Sequence, residues 1–137
     1  MKNLTTNLMI TMAALAALAG TAAAQTYKAQ LPTAFRAGSA MMEPGSYEFT
    51  VLNGSQIQVR NAQTRNTVLL LTIPGHDAPM AWQKIGTPML SLTCAGRTCS
   101  LTRLWNARGI STYEFPAVKL PAGERVAMVT LPMTRTD

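Results

Sequence analysis

Apolar and polar residues alternate with a period of two over much of this chain. Between Ser46 and Leu52 the apolar positions are Tyr47, Phe49 and Val51, and between Ser55 and Asn61 they are Ile57 and Val59. A period of two places the apolar side chains on one face of an extended strand and the polar ones on the other. Beyond position 25 no stretch of ten or more residues carries apolar positions at helical spacing. The pattern predicts strands near 27–31, 34–37, 46–52, 55–61, 67–73, 88–94, 99–106, 112–118 and 124–131, separated by Gly, Pro and Asn. Eight or nine short strands of this kind predict an all-β fold, a small antiparallel sandwich or barrel.

The punctuation fits that reading. Asn53-Gly54 lies between two alternating runs, and an Asn-Gly pair tolerates the positive φ angles of tight hairpin turns. Pro44-Gly45 precedes the first of those strands as a turn, and Leu120-Pro121-Ala122-Gly123 precedes the last strand of the chain. In that last strand Val126 and Met128 fall on one side and Ala127, Val129 and Leu131 on the other, which predicts a central position or cover on both faces. The 67–73 segment, apolar from Val68 to Leu71, has the same character. Between Ile73 and Pro88 the sequence PGHDAPMAWQKIGT has Pro-framed turns and no period, so a long loop is expected, with a short helical turn over 81–85. Long loops in small domains are frequently functional. His76, Asp77, Met80 and Trp82 are therefore the candidate residues for contacting a ligand or partner, with Trp82 the aromatic expected to be exposed.

Both cysteines fall in LTCAGRTCSL. With 95–98 as a hairpin loop in which Gly96 supplies the flexible position, Cys94 faces Cys99, Leu92 faces Leu101 and Pro88 faces Trp105. Thr93-Ser100 and Ser91-Thr102 then form a hydroxyl ladder on the other face. Arg103, opposite Leu90, breaks the pattern and marks a rim or a bulge. Directly opposed residues lie about 4.5 to 5.5 Å apart at Cα, within the range of a disulfide. A Cys94–Cys99 bridge is expected, contributing about 2 kcal/mol through so small a loop.

The N-terminus changes where this chemistry is placed. MKNLTTNLMITMAALAALAGTAAAQT carries one charge at Lys2, an apolar run from Leu8 to Leu18 and a small-residue end, the layout of an export signal cleaved after Ala24. The run is shorter than the roughly 20 residues of a membrane-spanning helix. Residues 1–24 are thus read as signal peptide and 25–137 as a single β domain, periplasmic or secreted, in a compartment where disulfides persist. Loss of Lys2 lowers the net charge from +6 to +5, and the remaining Lys and Arg never form a run of three. Nucleic-acid binding is not expected from so scattered a distribution.

Reactive chemistry is sparse. His76 is the only histidine, and beside Asp77 it is the one place for a hydrolase, but no Gly-x-Ser-x-Gly nucleophile turn accompanies it. A triad acid also orients its histidine from a distant part of the chain rather than from the next residue. A structural zinc takes four ligands, and the chain offers two Cys and one His. His76, Met80 and the pair Met41-Met42 are residue types that suit copper, but the six methionines beyond residue 24 are more simply core filler. No cofactor and no metal is expected.

LPTAFRAGSAMMEPGSYEFTV sets Pro32, Phe35, Gly38, Pro44, Gly45 and Tyr47 in an opening of Pro-x-x-Phe, a Gly turn and a Pro, Gly, Tyr cluster, and TPMLSLTCAGRTCSLTRLW follows as a paired-cysteine hairpin. In both respects the chain resembles small exported β-rich proteins common in acidobacterial genomes. It departs in the adjacency of Pro44 and Gly45, where that group more often has Pro-Ala-Gly. The resemblance implies export and a β fold and transfers no catalytic residue. The functional expectation is a non-enzymatic binding or structural module of the cell envelope with an envelope or extracellular partner. The alternatives are a hydrolase built on His76 and Asp77, or a metal- or redox-binding envelope protein. Oligomeric state is left open by the sequence.

Overall fold

A computed structural model describes residues 25–119, 123 and 125–136. The export signal assigned to 1–24 and most of the turn over 120–124 lie outside the described residues. The elements in chain order are β1 (Gln25–Leu31), β2 (Phe35–Ala37), β3 (Ala40–Met42), β4 (Gly45–Asn53), β5 (Gln56–Asn61), β6 (Thr67–Leu71), β7 (Ile73–Asp77), α1 (Met80–Ile85), β8 (Met89–Ala95), β9 (Thr98–Trp105), β10 (Ser111–Glu114), β11 (Val126–Pro132) and β12 (Thr134–Arg135). One sheet runs β12-β1-β4-β5-β6 and the other β11-β8-β9-β10-β7. The β2–β3 hairpin joins the second sheet through a parallel pairing of Arg36 with Ser100, the one departure from antiparallel order among the described pairings. The sheets do not close into a barrel, so of the two architectures expected it is the sandwich that fits.

Alternation builds the core as expected. Tyr47, Phe49 and Val51 of β4 and Ile57 and Val59 of β5 are all buried, and they meet Leu90, Leu92, Leu101 and Leu104 from the facing sheet. Tyr27 and Phe35 complete this cluster, with the Phe35 ring edge-on to Tyr47 at 4.9 Å. Each aromatic buries on the order of 150–250 Å² and dominates the apolar contribution to stability.

The 67–73 segment is not one strand. It breaks at Thr72, whose N–H donates to Ser55 O at 2.8 Å, and the chain passes from β6 in one sheet to β7 in the other. Met133 does the same at the opposite side, between β11 and β12. Both corner residues are buried. A strand that hands the chain to the other sheet must lie at the lateral edge, which is why β6 and β11 are edge strands rather than central ones. Their apolar side chains are accordingly exposed, Leu69 and Leu71 on β6 and Val126 and Met128 on β11, against the expectation of cover on both faces.

Local chemistry shifts other boundaries. The 112–118 strand ends at Glu114 because Pro116 has no N–H to continue a ladder. Pro74 and Gly75 argue for the expected loop, yet 73–77 form the edge strand β7, and an edge strand accommodates both residues. The long loop therefore reduces to short connections around β7 and α1, which begins one residue before the expected helical turn and closes with Gly86 at φ 74°, its N–H donating to Trp82 O. The β4–β5 hairpin forms at Asn53-Gly54, but Gly54 is not among the positive-φ glycines. The turn is held instead by the Asn53 side chain, whose Oδ1 accepts from Ser55 N at 2.9 Å.

Candidate functional site

The cysteine hairpin is tighter than a four-residue loop: Ala95 pairs with Thr98 and only Gly96 and Arg97 lie between. Gly96 has φ 61°, the conformation a two-residue turn demands at its first position. The expected register holds for Cys94 with Cys99, Thr93 with Ser100 and Leu92 with Leu101. It then shifts, so that Ser91 pairs with Arg103, Leu90 with Leu104 and Met89 with Trp105, in place of Pro88 with Trp105. Thr102 is the extra residue of a β-bulge. The bulge explains why Leu101 and Leu104, three apart, are both buried in the core, and it leaves Thr102 and Arg103 together on the outer face. Cys94 and Cys99 form a disulfide with Cα atoms 4.0 Å apart, and Thr33 Oγ1 donates to Cys99 Sγ at 3.7 Å.

Arg103 is the centre of a polar row that crosses the outer face. The register sets Ser91, Arg103 and Glu114 side by side on β8, β9 and β10. Arg103 Nη2 donates to Glu114 Oε1 at 3.2 Å, and His76 Nδ1, on β7, donates to the same oxygen at 3.1 Å. Gly75 makes that approach possible. A Cβ there would stand 2.4 Å from Thr112 Oγ1 and 2.7 Å from Glu114 Cγ, so any side chain would push β7 off β10. The hydrogen bond from His76 holds the Glu114 carboxyl below its ordinary pKa, with the nearby Arg103 charge acting in the same direction and burial opposing both.

Beside this row lies a cleft of about 300 Å³ between the hydroxyl ladder and the chain that follows β10. Thr93, Ser100 and Thr102 form one wall, and Phe115 to Val118 form the other, with Glu114 at their junction. Thr93 Oγ1 and Thr102 Oγ1 are 2.6 Å apart. Ser91 Oγ and Arg103 Nε are buried without a hydrogen-bond partner. Buried polar groups are normally satisfied, so two orphans in one transverse row mark unused bonding capacity.

The residues proposed from the sequence do not converge. His76 is 87% exposed at its side chain and its carboxylate partner is Glu114, not Asp77. Asp77 is exposed and pairs through its backbone with Ser111. Met80 is exposed at the start of α1. Trp82, expected to be exposed, is buried with Ala78, Met89 and Trp105 in a second apolar cluster, because α1 lays this ring on the outer end of the β8–β9 hairpin. No described hydroxyl or thiol lies within hydrogen-bonding reach of the His76 ring. Among the described residues no group of three or more His, Cys, Asp or Glu is arranged to hold a metal, and no helix is long and apolar enough to cross a membrane. Neither Glu114 nor Arg103 stands out as a site residue in the sequence; Arg103 is marked there only as the residue that interrupts the ladder, and the bulge lies beside it at Thr102.

Compared with known proteins, the chain matches no family model, no curated protein and no solved structure.

Proposed function

We propose that this protein is exported to an oxidising compartment, periplasmic or extracellular, and acts there as a binding module of the envelope rather than as an enzyme. The Cys94–Cys99 disulfide supports the compartment, since such bridges persist outside the reducing cytosol, and the signal-like N-terminus and the resemblance to small exported proteins agree with it. The binding surface is the outer face of the β8–β9–β10 sheet. The observation that carries this reading is the pair of orphaned polar atoms, Ser91 Oγ and Arg103 Nε, in the row that ends at the Glu114 cleft.

Glu114 is already engaged by Arg103 and His76, so it is a poor general acid or base and a good structural anchor. That engagement leaves the hydroxyls of Thr93, Ser100 and Thr102 as the polar groups lining the cleft, with the unpartnered Ser91 Oγ and Arg103 Nε buried in the adjoining row. Such a set suits an oxygen-rich, hydrogen-bonding ligand lying along an apolar wall.

The test is an amide-resolved titration of the labelled protein with soluble fractions of the producing cell's envelope. Saturable shifts are expected at Thr93, Ser100, Thr102, Glu114, Phe115, Ala117 and Val118, abolished in Arg103→Gln, with the ligand recovered chemically unchanged. Shifts confined to other surfaces, or a ligand recovered as cleaved products, would reject the reading.

A further inference from the structure

We propose that the outer edge of β11 pairs antiparallel with β11 of a second copy of this chain. The backbone parity of the strand is set at its end, where Met133 N donates to Pro88 O at 2.8 Å. Alternate residues of a strand bond to opposite sides. Ala127, Val129 and Leu131 therefore direct their N–H and C=O groups to β8, and Val126, Met128 and Thr130 direct theirs away from the sheet. No described strand pairs with that side.

Free edges are usually blunted by charge, by a bulge or by shortness. β11 has none of these. It runs seven residues, about 23 Å, without a register shift, and VAMVTLP contains no charged residue. Its single proline, Pro132, is the last residue of the strand. Val129, opposite the buried Leu92, lies on the core side of the sheet and is still 37% exposed, because the sandwich mouth is open there. Beneath it is an apolar cavity of about 140 Å³ lined by Leu31, Leu92, Cys94, Cys99, Val129 and Leu131.

The strand is complementary to itself. A two-fold axis through Val129 sets Val129 against its own copy, and sets the small Ala127 against Leu131 on the core side. On the outer side it sets Met128 against Thr130 and Val126 against Pro132. Arg125 then falls opposite Met133 rather than opposite the second Arg125, so no like charges oppose each other. Each Met128–Thr130 pair exchanges two backbone hydrogen bonds, and the core-side pairs cover the open mouth of the apolar cavity. A single strand pair buries less than the roughly 1,200 Å² of a standard stable interface, so the dimer is concentration-dependent.

The experiment uses protein expressed from the full chain. Sedimentation equilibrium of the wild type from micromolar to millimolar concentration is expected to show a reversible monomer–dimer equilibrium. Met128→Pro removes an N–H that points away from β8, so the fold survives while association weakens at least tenfold. A mixture of Met128→Cys and Thr130→Cys proteins is expected to form covalent dimers at least tenfold faster than either alone, because only the mixture sets the two thiols opposite each other. This measurement decides the matter if the proline variant fails to fold. A wild type that stays monomeric at 1 mM, as it would if the edge received a different protein, overturns the proposal. So does a mixture that cross-links no faster than its components.

Discussion

In the β12-β1-β4-β5-β6 sheet, Arg60 pairs with Glu48 and Thr26 Oγ1 lies 3.1 Å from Thr50 Oγ1, all side by side on the outer face. β5 alternates between half-buried and buried residues from end to end. In the β11-β8-β9-β10-β7 sheet the corresponding strands are buried on both faces, β8 through its first four residues without a break. Its outer face carries α1 and borders residues 115–118, and it contains a bulge, a parallel pairing with the β2–β3 hairpin and three buried or half-buried polar residues in a row. One sheet is a support with an ordinary wet face. The other gives up regularity to hold polar groups in fixed positions, and every such departure lies within a few residues of Arg103 and Glu114.

The sharpest way to test the supporting role of the first sheet is Phe49→Ala. Phe49 is fully buried between Tyr27 and Val59 in the register, and its truncation is expected to cost about 3–5 kcal/mol. Chemical denaturation should show the midpoint falling with a single cooperative transition for both sheets. A variant within 1 kcal/mol of wild type would mean that the shared core is not what holds the sheets together.

Gly75→Ala probes the irregular sheet. The added methyl meets Thr112 Oγ1, Glu114 Cγ and the Thr112 carbonyl inside contact distance, and the backbone carbonyl has no flexible route away. A loss of about 1–3 kcal/mol is expected, together with loss of the His76–Glu114 hydrogen bond. The bond is read from the His76 ring signals, which should move to positions typical of an unpaired, exposed ring. The disulfide comes next. Replacing Cys94 and Cys99 together by Ser is expected to cost about 2 kcal/mol and leave the fold, since the bridge closes only a tight turn. A protein unfolded by that change would show the bridge to be more than a staple.

Glu114→Gln separates electrostatics from packing. The folded state lowers the Glu114 pKa, so the folded protein gains from the ionised carboxylate above the ordinary glutamate range. That gain is lost as the pH falls through the lowered folded value. Wild type should therefore exceed Glu114→Gln in stability at pH 7, by less than about 1 kcal/mol for so accessible a pair, and the two should converge toward pH 3. Denaturation midpoints measured at both values check it. A difference that grows on acidification would reverse the assignment of the His76 and Arg103 contacts as favourable.

The contrast between the sheets also decides what could be read from the sequence. β4 and β5 were legible because a sheet with one dry face imposes strict alternation, and Cys94–Cys99 was legible because register follows from a short turn. β6 and β11 were misplaced because an apolar run reports low polarity, not position, and here the exposed edges are apolar. β7 was hidden by Pro74 and Gly75, residues that read as loop but are tolerated at an edge. The polar row was hidden more deeply. Its members, Ser91, Arg103, Glu114 and His76, come from four strands, and their meeting depends on a one-residue bulge at Thr102 that no local pattern states in full.

Gly54→Ala gives the smallest effect and the most direct contrast with Gly75. Gly54 follows the end of β4 while Gly75 is the central residue of β7, and the Asn53-Gly54 pair is the one whose sequence suggests a positive φ. Its φ is not positive, a Cβ there meets nothing within 4 Å, and the turn is held by Asn53 Oδ1 accepting from Ser55 N and Ser55 Oγ. Alanine therefore fits the folded state without strain and narrows the freedom of the unfolded chain, which is expected to leave stability unchanged or raise it by about 0.4–1 kcal/mol. Thermal melts of the two alanine variants side by side check the pair, and a Gly54→Ala loss as large as that of Gly75→Ala would mean that the regular sheet is as tightly constrained at its turns as the irregular one is at its polar row. The Asn53 side chain supplies the reason to expect otherwise, since it meets the turn's bonding need from outside the backbone and so leaves the glycine without a task.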